Sequence, residues 1–293
     1  MYIANSNVIK IFATGLKGLK VVQGIKEKTE KIVVVIGKDI NIINDYSEEI
    51  LDFCKINNIQ YTYDSLDNDL DFGLAIAAGW QKMIYDIPSD ALIVFHDSLL
   101  PKYRGFNPLV TALLNQDDYI GLTALTAGEK YDCGNIIYQV KIPISYPVLI
   151  RDAINKVACS YYDVAKIIYE LSIGNKLKGI PQDESKATYS LWRDEEDYLI
   201  DWSSSSDEIY LKINSLGYPY LGASSFVNNE IVRIKRSTVV NDVVIENRTP
   251  GKIIFFSDGK PVVVCGRGLL RLDSIESNHG EELTITKLRT RFK

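Results

Sequence analysis

Histidine is nearly missing from this chain of 293 residues: there are two, His96 and His279. Cysteine is thin as well. Cys54, Cys133, Cys159 and Cys265 are far apart and form no CxxC pair, which excludes a zinc knuckle or a disulfide framework and leaves reduced thiols and no metal site as the expectation. No apolar run approaches the roughly 18 to 20 residues that a membrane span needs, and the first residues lack the basic-then-apolar pattern of a signal peptide. The expectation is a cytoplasmic protein with no membrane partner. Basic charge is not in excess either: the formal net charge is -5, and from Leu191 onward 14 Lys and Arg face 15 Asp and Glu. A nucleic-acid partner usually needs a basic face, so none is expected. The clusters Arg233-Ile234-Lys235-Arg236 and Lys287 to Lys293 read as a solvated strand and terminus. The dinucleotide fingerprint is absent too, because Gly15 and Gly18 give only GxxG, the spacing of a tight strand-to-helix turn.

What is present is alternation. Val8 to Ala13, Ile32 to Ile36, Ile59 to Tyr63, Phe72 to Ala78 and Ala91 to Phe95 read as short strands, with helical stretches at Lys17 to Lys26 and Ser47 to Ile56. Asn107 to Leu114 reads as a short helix with Asn107 as its cap and Pro108 at its first position. Ile120 to Ala127 and Asn135 to Ile142 read as strands, and Leu149 to Ser172 as a long amphipathic helix. This pattern predicts an α/β fold, a mostly parallel sheet covered on both faces, over residues 1–175. Residues 176–190, polar and broken by Gly179 and Pro181, read as a linker. Residues 191–293 then form a helix, opened by the Ser205-Ser206-Asp207-Glu208 capping box, and a small β domain. Its glycine-punctuated strands at Ser225 to Val227, Ile231 to Val240, Lys252 to Phe256, Pro261 to Cys265 and Leu269 to Ile275 suggest a small barrel or curled sheet.

The chemistry concentrates in two loops. His96 ends the apolar run Ala91 to Phe95 and enters the Pro101- and Gly105-punctuated loop, where α/β proteins place reactive groups. His279 sits in a polar turn, so His96 is the candidate general base. Asp132, in the Tyr131-Asp132-Cys133-Gly134 turn, is the carboxylate that would fix the imidazole tautomer if it lies within reach. Arg104 reads either as an anion ligand or as a loop arginine capping carbonyls.

His-x-Ser-Leu-Leu-Pro-x-x-Arg-Gly from His96, with Asp-x-Gly-x-Ile from Asp132, resembles the signature of the folate-dependent formyltransferases. That family includes methionyl-tRNA formyltransferase, glycinamide ribonucleotide formyltransferase and the nucleotide-sugar N-formyltransferases. Ile200-Asp201-Trp202 and Tyr218-Pro219-Tyr220-Leu221-Gly222-Ala223 are similar to C-terminal segments of its sugar and tRNA branches. The resemblance implies a Rossmann-like domain with a small OB-like β-barrel, and formyl transfer from N10-formyltetrahydrofolate to an amine. It implies that His96 accepts the amine proton, that Asp132 orients His96 and assists at folate N10, and that Trp80, Met83, Ile84 and Tyr85 line the folate slot. Leu99, Leu100, Pro101, Arg104, Gly105 and the stretch Gly121 to Tyr131 are placed around that slot by the same comparison.

One departure bears on the chemistry. The family holds an asparagine two residues before the histidine, as the donor to the developing oxyanion, and this chain has Val94. An aliphatic residue at the same point is also found in the hydrolase domain of formyltetrahydrofolate dehydrogenase, so folate hydrolysis, or ligand binding without catalysis, is the alternative. A second departure puts Asn214 where relatives commonly carry arginine. The near-neutral C-terminal part disfavours tRNA, and the length disfavours the short glycinamide ribonucleotide enzymes. A nucleotide-linked amino sugar is therefore the expected acceptor, such as a dTDP-linked 3- or 4-amino-dideoxyhexose of surface-polysaccharide synthesis. Lys82, Arg104 and Arg151 are candidates for its pyrophosphate, Ser98 for a polar contact, and Tyr218 or Tyr220 for stacking. A homodimer is expected, as among the sugar-modifying relatives.

Overall fold

The β-branched runs of the first half are buried along their whole length, as strands covered on both faces must be. The computed structural model describes residues 7–63 and 72–293. In chain order the first part holds β1 (Ile9–Ala13), α1 (Gly15–Lys26), β2 (Ile32–Ile36), α2 (Ser47–Ile56), β3 (Gln60–Tyr63), β4 (Leu74–Ala78) and β5 (Leu92–His96). There follow β6 (Arg104–Gly105), α3 (Pro108–Leu114), β7 (Tyr119–Thr126), β8 (Ile136–Pro143), α4 (Ile150–Ile173), a 3-10 turn (Glu184–Lys186) and β9 (Tyr189–Ser190). Seven strands form one sheet in the order β3-β2-β1-β4-β5-β7-β8. The first five are parallel, and β7 and β8 close that edge as an antiparallel pair. Helix α1 lies so close to β1 that a Cβ on Gly18 would stand 2.8 Å from the Ala13 carbonyl carbon, which explains the second glycine of GxxG as packing. On α4, the Tyr161 ring meets Phe95 of β5 edge-on, with centroids 5.3 Å apart.

Two compact units divide the chain: residues 1–112, 117–144 and 152–192 make the first, and 113–116, 145–151 and 193–293 the second. The stretch 176–190, expected as a linker, falls in the first unit, where Ile180 pairs with Ile136 and β9 runs parallel to β6. Asn107 differs from expectation as well. It adopts a left-handed φ of 50° and its carbonyl accepts from Thr111, whereas a helix cap sits in the extended region.

The second unit contains α5 (Glu195–Tyr198), α6 (Ser206–Ser215) and the strands β10 (Ala223–Val227), β11 (Glu230–Val240), β12 (Ile253–Ser257), β13 (Lys260–Val264) and β14 (Leu269–Ser277). The expected capping box opens α6: Ser205 Oγ accepts from the Glu208 amide, and the Glu208 carboxylate accepts from the Ser205 amide at 2.8 Å. The strands make one antiparallel sheet in the order β10-β11-β14-β13-β12. Its two outer strands are bridged by the C-terminal tail. Lys293 exchanges backbone hydrogen bonds with Phe226 of β10, and Phe292 donates to Gly251, just before β12. Phe292 is buried against Trp202, whose indole N–H is taken by Ser225. The barrel-like closure thus comes from the last two residues, Phe292 and Lys293, rather than from direct pairing of β10 with β12 among the described residues. Buried Cys54 and Cys265 have thiols pushed up to about 11 and about 12 by desolvation, and all four cysteines are free.

Candidate active site

β5 delivers His96 to the edge where the parallel part of the sheet meets the antiparallel pair, opposite Thr123 of β7. Thr123 fixes the loop that follows: its hydroxyl donates to the Ser98 carbonyl at 2.6 Å and accepts from the Leu100 amide at 3.2 Å. The loop returns so that the Tyr103 carbonyl meets His96 Nε2 at 2.8 Å. A carbonyl only accepts, so Nε2 carries a proton. Nδ1, the other ring nitrogen, faces Asp132 Oδ1 at 3.3 Å, with both side chains 10% exposed or less. The contact left open by the sequence is made.

Asp132 occupies the turn between β7 and β8 with a left-handed φ of 57°, a conformation that aspartate adopts more readily than most residues. Its Oδ2 accepts from the Gly105 amide at 2.8 Å, so the carboxylate bridges His96 and the loop after β5. Only glycine suits position 105, where φ is 98° and a Cβ would stand 2.6 Å from the Ser190 carbonyl oxygen. Beneath the turn lies Gln182. Its amide nitrogen donates to the Asp132 carbonyl at 2.7 Å and the Gly134 carbonyl at 2.8 Å. Its oxygen accepts from Arg104 Nε and Nη2, and the rest of the guanidinium grips the Glu184 carboxylate.

Arg104 is therefore not an anion ligand. It is fully buried with its donors taken by Gln182 and Glu184, and the Glu184 carboxylate pushes its pKa up. Ser98 is corrected too: it is buried and its hydroxyl donates to the Lys102 carbonyl at 2.6 Å, which leaves no outward donor for a substrate. Within the stretch Gly121 to Tyr131, residues as far as Thr126 are strand β7 rather than loop.

Val94 lies on the same strand face as His96. It packs with Phe72, Trp80, Ile84 and Ala127 against a buried cluster that includes Phe12, Ala77 and Leu92. Trp80 meets Phe12 edge-on at 5.1 Å, and its indole N–H is buried without a partner among the described residues. Met83 is half-buried and Tyr85 and Lys82 are exposed. Leu99 covers Gly121, Leu100 is buried, Pro101 is half-buried, and Tyr131 packs on Phe106 at 5.3 Å. A cavity of about 280 Å³ opens beside Ser98, Leu99, Lys102, Tyr119 and Lys141; His96 and Asp132 stand outside its wall. Arg151, Tyr218 and Tyr220 belong to the second unit, with Tyr218 exposed and Tyr220 half-buried.

Residues 59–166 match the formyl transferase family, and residues 193–293 match the formyl transferase C-terminal domain. The chain is 31% identical over 223 residues to the methionyl-tRNA formyltransferase of Borrelia duttonii (strain Ly), covering 75% of this chain and 70% of that protein. It belongs to the formyl transferase family. A second relative, the methionyl-tRNA formyltransferase of Clostridium novyi (strain NT), is 29% identical over 208 residues, and the match spans 66% of its length, just under two thirds. Among solved structures, the N-formyltransferase from Helicobacter canadensis in complex with folinic acid and dTDP-3-aminofucose has the same fold. It superposes with a TM-score of 0.68 at 19% identity, over 94% of this chain and all of that one. The two matched formyl transferase segments leave residues 167–192 between them, and that interval supplies the Gln182 and Glu184 contacts. Gln182 was missed in the sequence because a lone glutamine in a non-periodic segment carries no spacing that marks it.

Proposed function

We propose that this formyl transferase moves a formyl group from N10-formyltetrahydrofolate to the amine of a nucleotide-linked amino sugar, such as a dTDP-3- or 4-amino-dideoxyhexose of surface-polysaccharide synthesis. The observation that carries the reading is His96, with Nε2 anchored on a carbonyl and Nδ1 turned to Asp132. The fit of the folate rests on the apolar face of Phe72, Ile84 and Val94 and on the buried N–H of Trp80, which has no partner among the described residues and which a pteridine heteroatom would satisfy. When bound, the folate supplies the formyl carbon that the amine attacks. His96 Nδ1 takes the amine proton, Asp132 stabilises the resulting imidazolium, and the same pair returns a proton to N10 as the old bond breaks. The site lacks a side-chain donor at position 94, so the developing oxyanion relies on other groups.

A sugar acceptor is supported by the acidic chain, which offers no basic excess to an RNA, and by the dTDP-amino sugar bound to the Helicobacter canadensis relative. Lys82 and Arg151 are the proposed pyrophosphate contacts and Tyr218 and Tyr220 the stacking groups; a cytoplasmic homodimer goes with this reading. Val94 favours one second reading, in which water is the acceptor and the protein is a formyltetrahydrofolate hydrolase. Incubation with 10-formyltetrahydrofolate and a panel of dTDP-, UDP- and GDP-amino sugars, alongside methionyl-tRNA, tests the proposal by mass spectrometry. A formylated dTDP-amino sugar is expected. Formylation of the tRNA alone, or folate turnover with no formylated product, overturns it.

A further inference from the structure

The geometry points to Gln182 as a positioning residue for the His96–Asp132 pair, so that the segment between the two family-matched regions is part of the reaction machinery rather than a connector. The inference rests on the formyl-transfer reading for its kinetic readout only.

Every hydrogen-bonding capacity of the Gln182 carboxamide is used. Its two N–H groups go to the carbonyls of Asp132 and Gly134, on either side of Cys133, and both oxygen lone pairs go to Arg104. The guanidinium fixes which end of the carboxamide is oxygen, because Arg104 has only donors. The amide nitrogen is thereby forced toward the turn. The two carbonyls it holds belong to the residues that bracket the turn, and Asp132 among them keeps a left-handed φ that must be stabilised from outside. Asp132 is thus held at two points, its carboxylate by the Gly105 amide and its backbone by Gln182. The Gly105 anchor traces back to the same segment, since Arg104 and Phe106 on either side of it donate their amides to Thr188 and Ser190. A shift of the turn by less than an ångström would change the 3.3 Å separation from His96 Nδ1 and so the proton transfer that depends on it.

Two variants separate clamping from mere packing. Gln182→Met keeps the volume and removes all four hydrogen bonds. Gln182→Glu keeps the acceptor for Arg104 but turns a carboxylate oxygen toward two carbonyls, so it reverses the clamp while preserving the side that faces Arg104. The imidazole 15N resonances of the full-length protein give a readout that needs no substrate: with only two histidines, exposed His279 in the second unit is an internal reference. Both variants are expected to move the His96 15N shifts and their pH titration while His279 stays in place. They are also expected to lower kcat at least tenfold, with KM for 10-formyltetrahydrofolate changed less than twofold. If Gln182→Met does not fold, Gln182→Glu carries the test. His96 resonances that superpose on wild type in the folded variants overturn the proposal, whatever the activity. A wild-type protein that formylates no amine would overturn the function proposed above and leave the NMR comparison to decide this one.

Discussion

Arg104 and Glu184, eighty residues apart in sequence, meet in a two-pronged ion pair, with Nη1 at 2.8 Å and Nη2 at 2.6 Å from the two carboxylate oxygens. The arginine end is buried and the glutamate end is largely exposed.

Arg104→Lys is expected to act on stability and turnover rather than on ligand affinity. A lysine cannot reproduce the fork, and it leaves Gln182 without its orienting donors. Loss of these bonds is expected to cost about 1–3 kcal/mol in chemical denaturation. The rate constant should fall while KM for the formyl donor holds; a rise in KM alone would restore the anion-binding role that the sequence suggested.

The same pair sets a pH dependence. Hydrogen bonding to Arg104 lowers the Glu184 pKa below its ordinary 4.5 in the folded protein. A depressed carboxylate contributes stability that is present above the unfolded value and is lost as pH falls through the lower folded one. Hydrogen exchange at the Arg104 and Phe106 amides, which pair with Thr188 and Ser190, should therefore accelerate as pH drops below about 4.5, after correction for intrinsic rates. Glu184→Gln should flatten that acid limb.

Much of the fold was legible because its signals are local. Ile32–Ile36 is apolar at every position and becomes a strand buried on both faces, and Ser205 with Glu208 announces a helix that begins where the capping box says. His96 and Asp132 were legible through residue type and punctuation. What the sequence hid depends on contacts between distant segments. Nothing near Gln182 shows that its carboxamide reaches the carbonyls of Asp132 and Gly134, and nothing near Arg104 shows that two acceptors wait some eighty residues on. Asn107 looked like a cap because Pro108 follows it, yet its φ is a left-handed 50°.

Closure of the second unit by its tail predicts a large effect from a terminal residue. Phe292 is buried against Trp202, and its amide and that of Lys293 bridge the two sheet edges. Phe292→Ala is expected to cost about 3–5 kcal/mol, the range for a buried phenylalanine. Thermal unfolding with the Trp202 environment followed by near-UV circular dichroism checks this; a change within about 0.5 kcal/mol, the scale of a plain surface substitution, would contradict it.

At position 94 the account predicts a gain. Val94→Asn places a donor on the His96 face of β5, where it can meet the developing oxyanion. Since loss of one such donor typically costs about 100- to 1000-fold, partial recovery is expected to raise kcat by about 10- to 100-fold. Single-turnover kinetics check it, and an unchanged or lower rate would mean that another group already fills the role.

The central claim, that His96 and Asp132 drive transfer of the formyl group to an amine, is tested most directly by one rate. Conversion of 10-formyltetrahydrofolate to tetrahydrofolate is followed with and without a dTDP-amino sugar, for the wild type and for His96→Ala. The account predicts conversion that depends on the amine and falls by about 100-fold or more in the variant. Conversion that proceeds equally without the amine, or that survives the loss of His96, would contradict it.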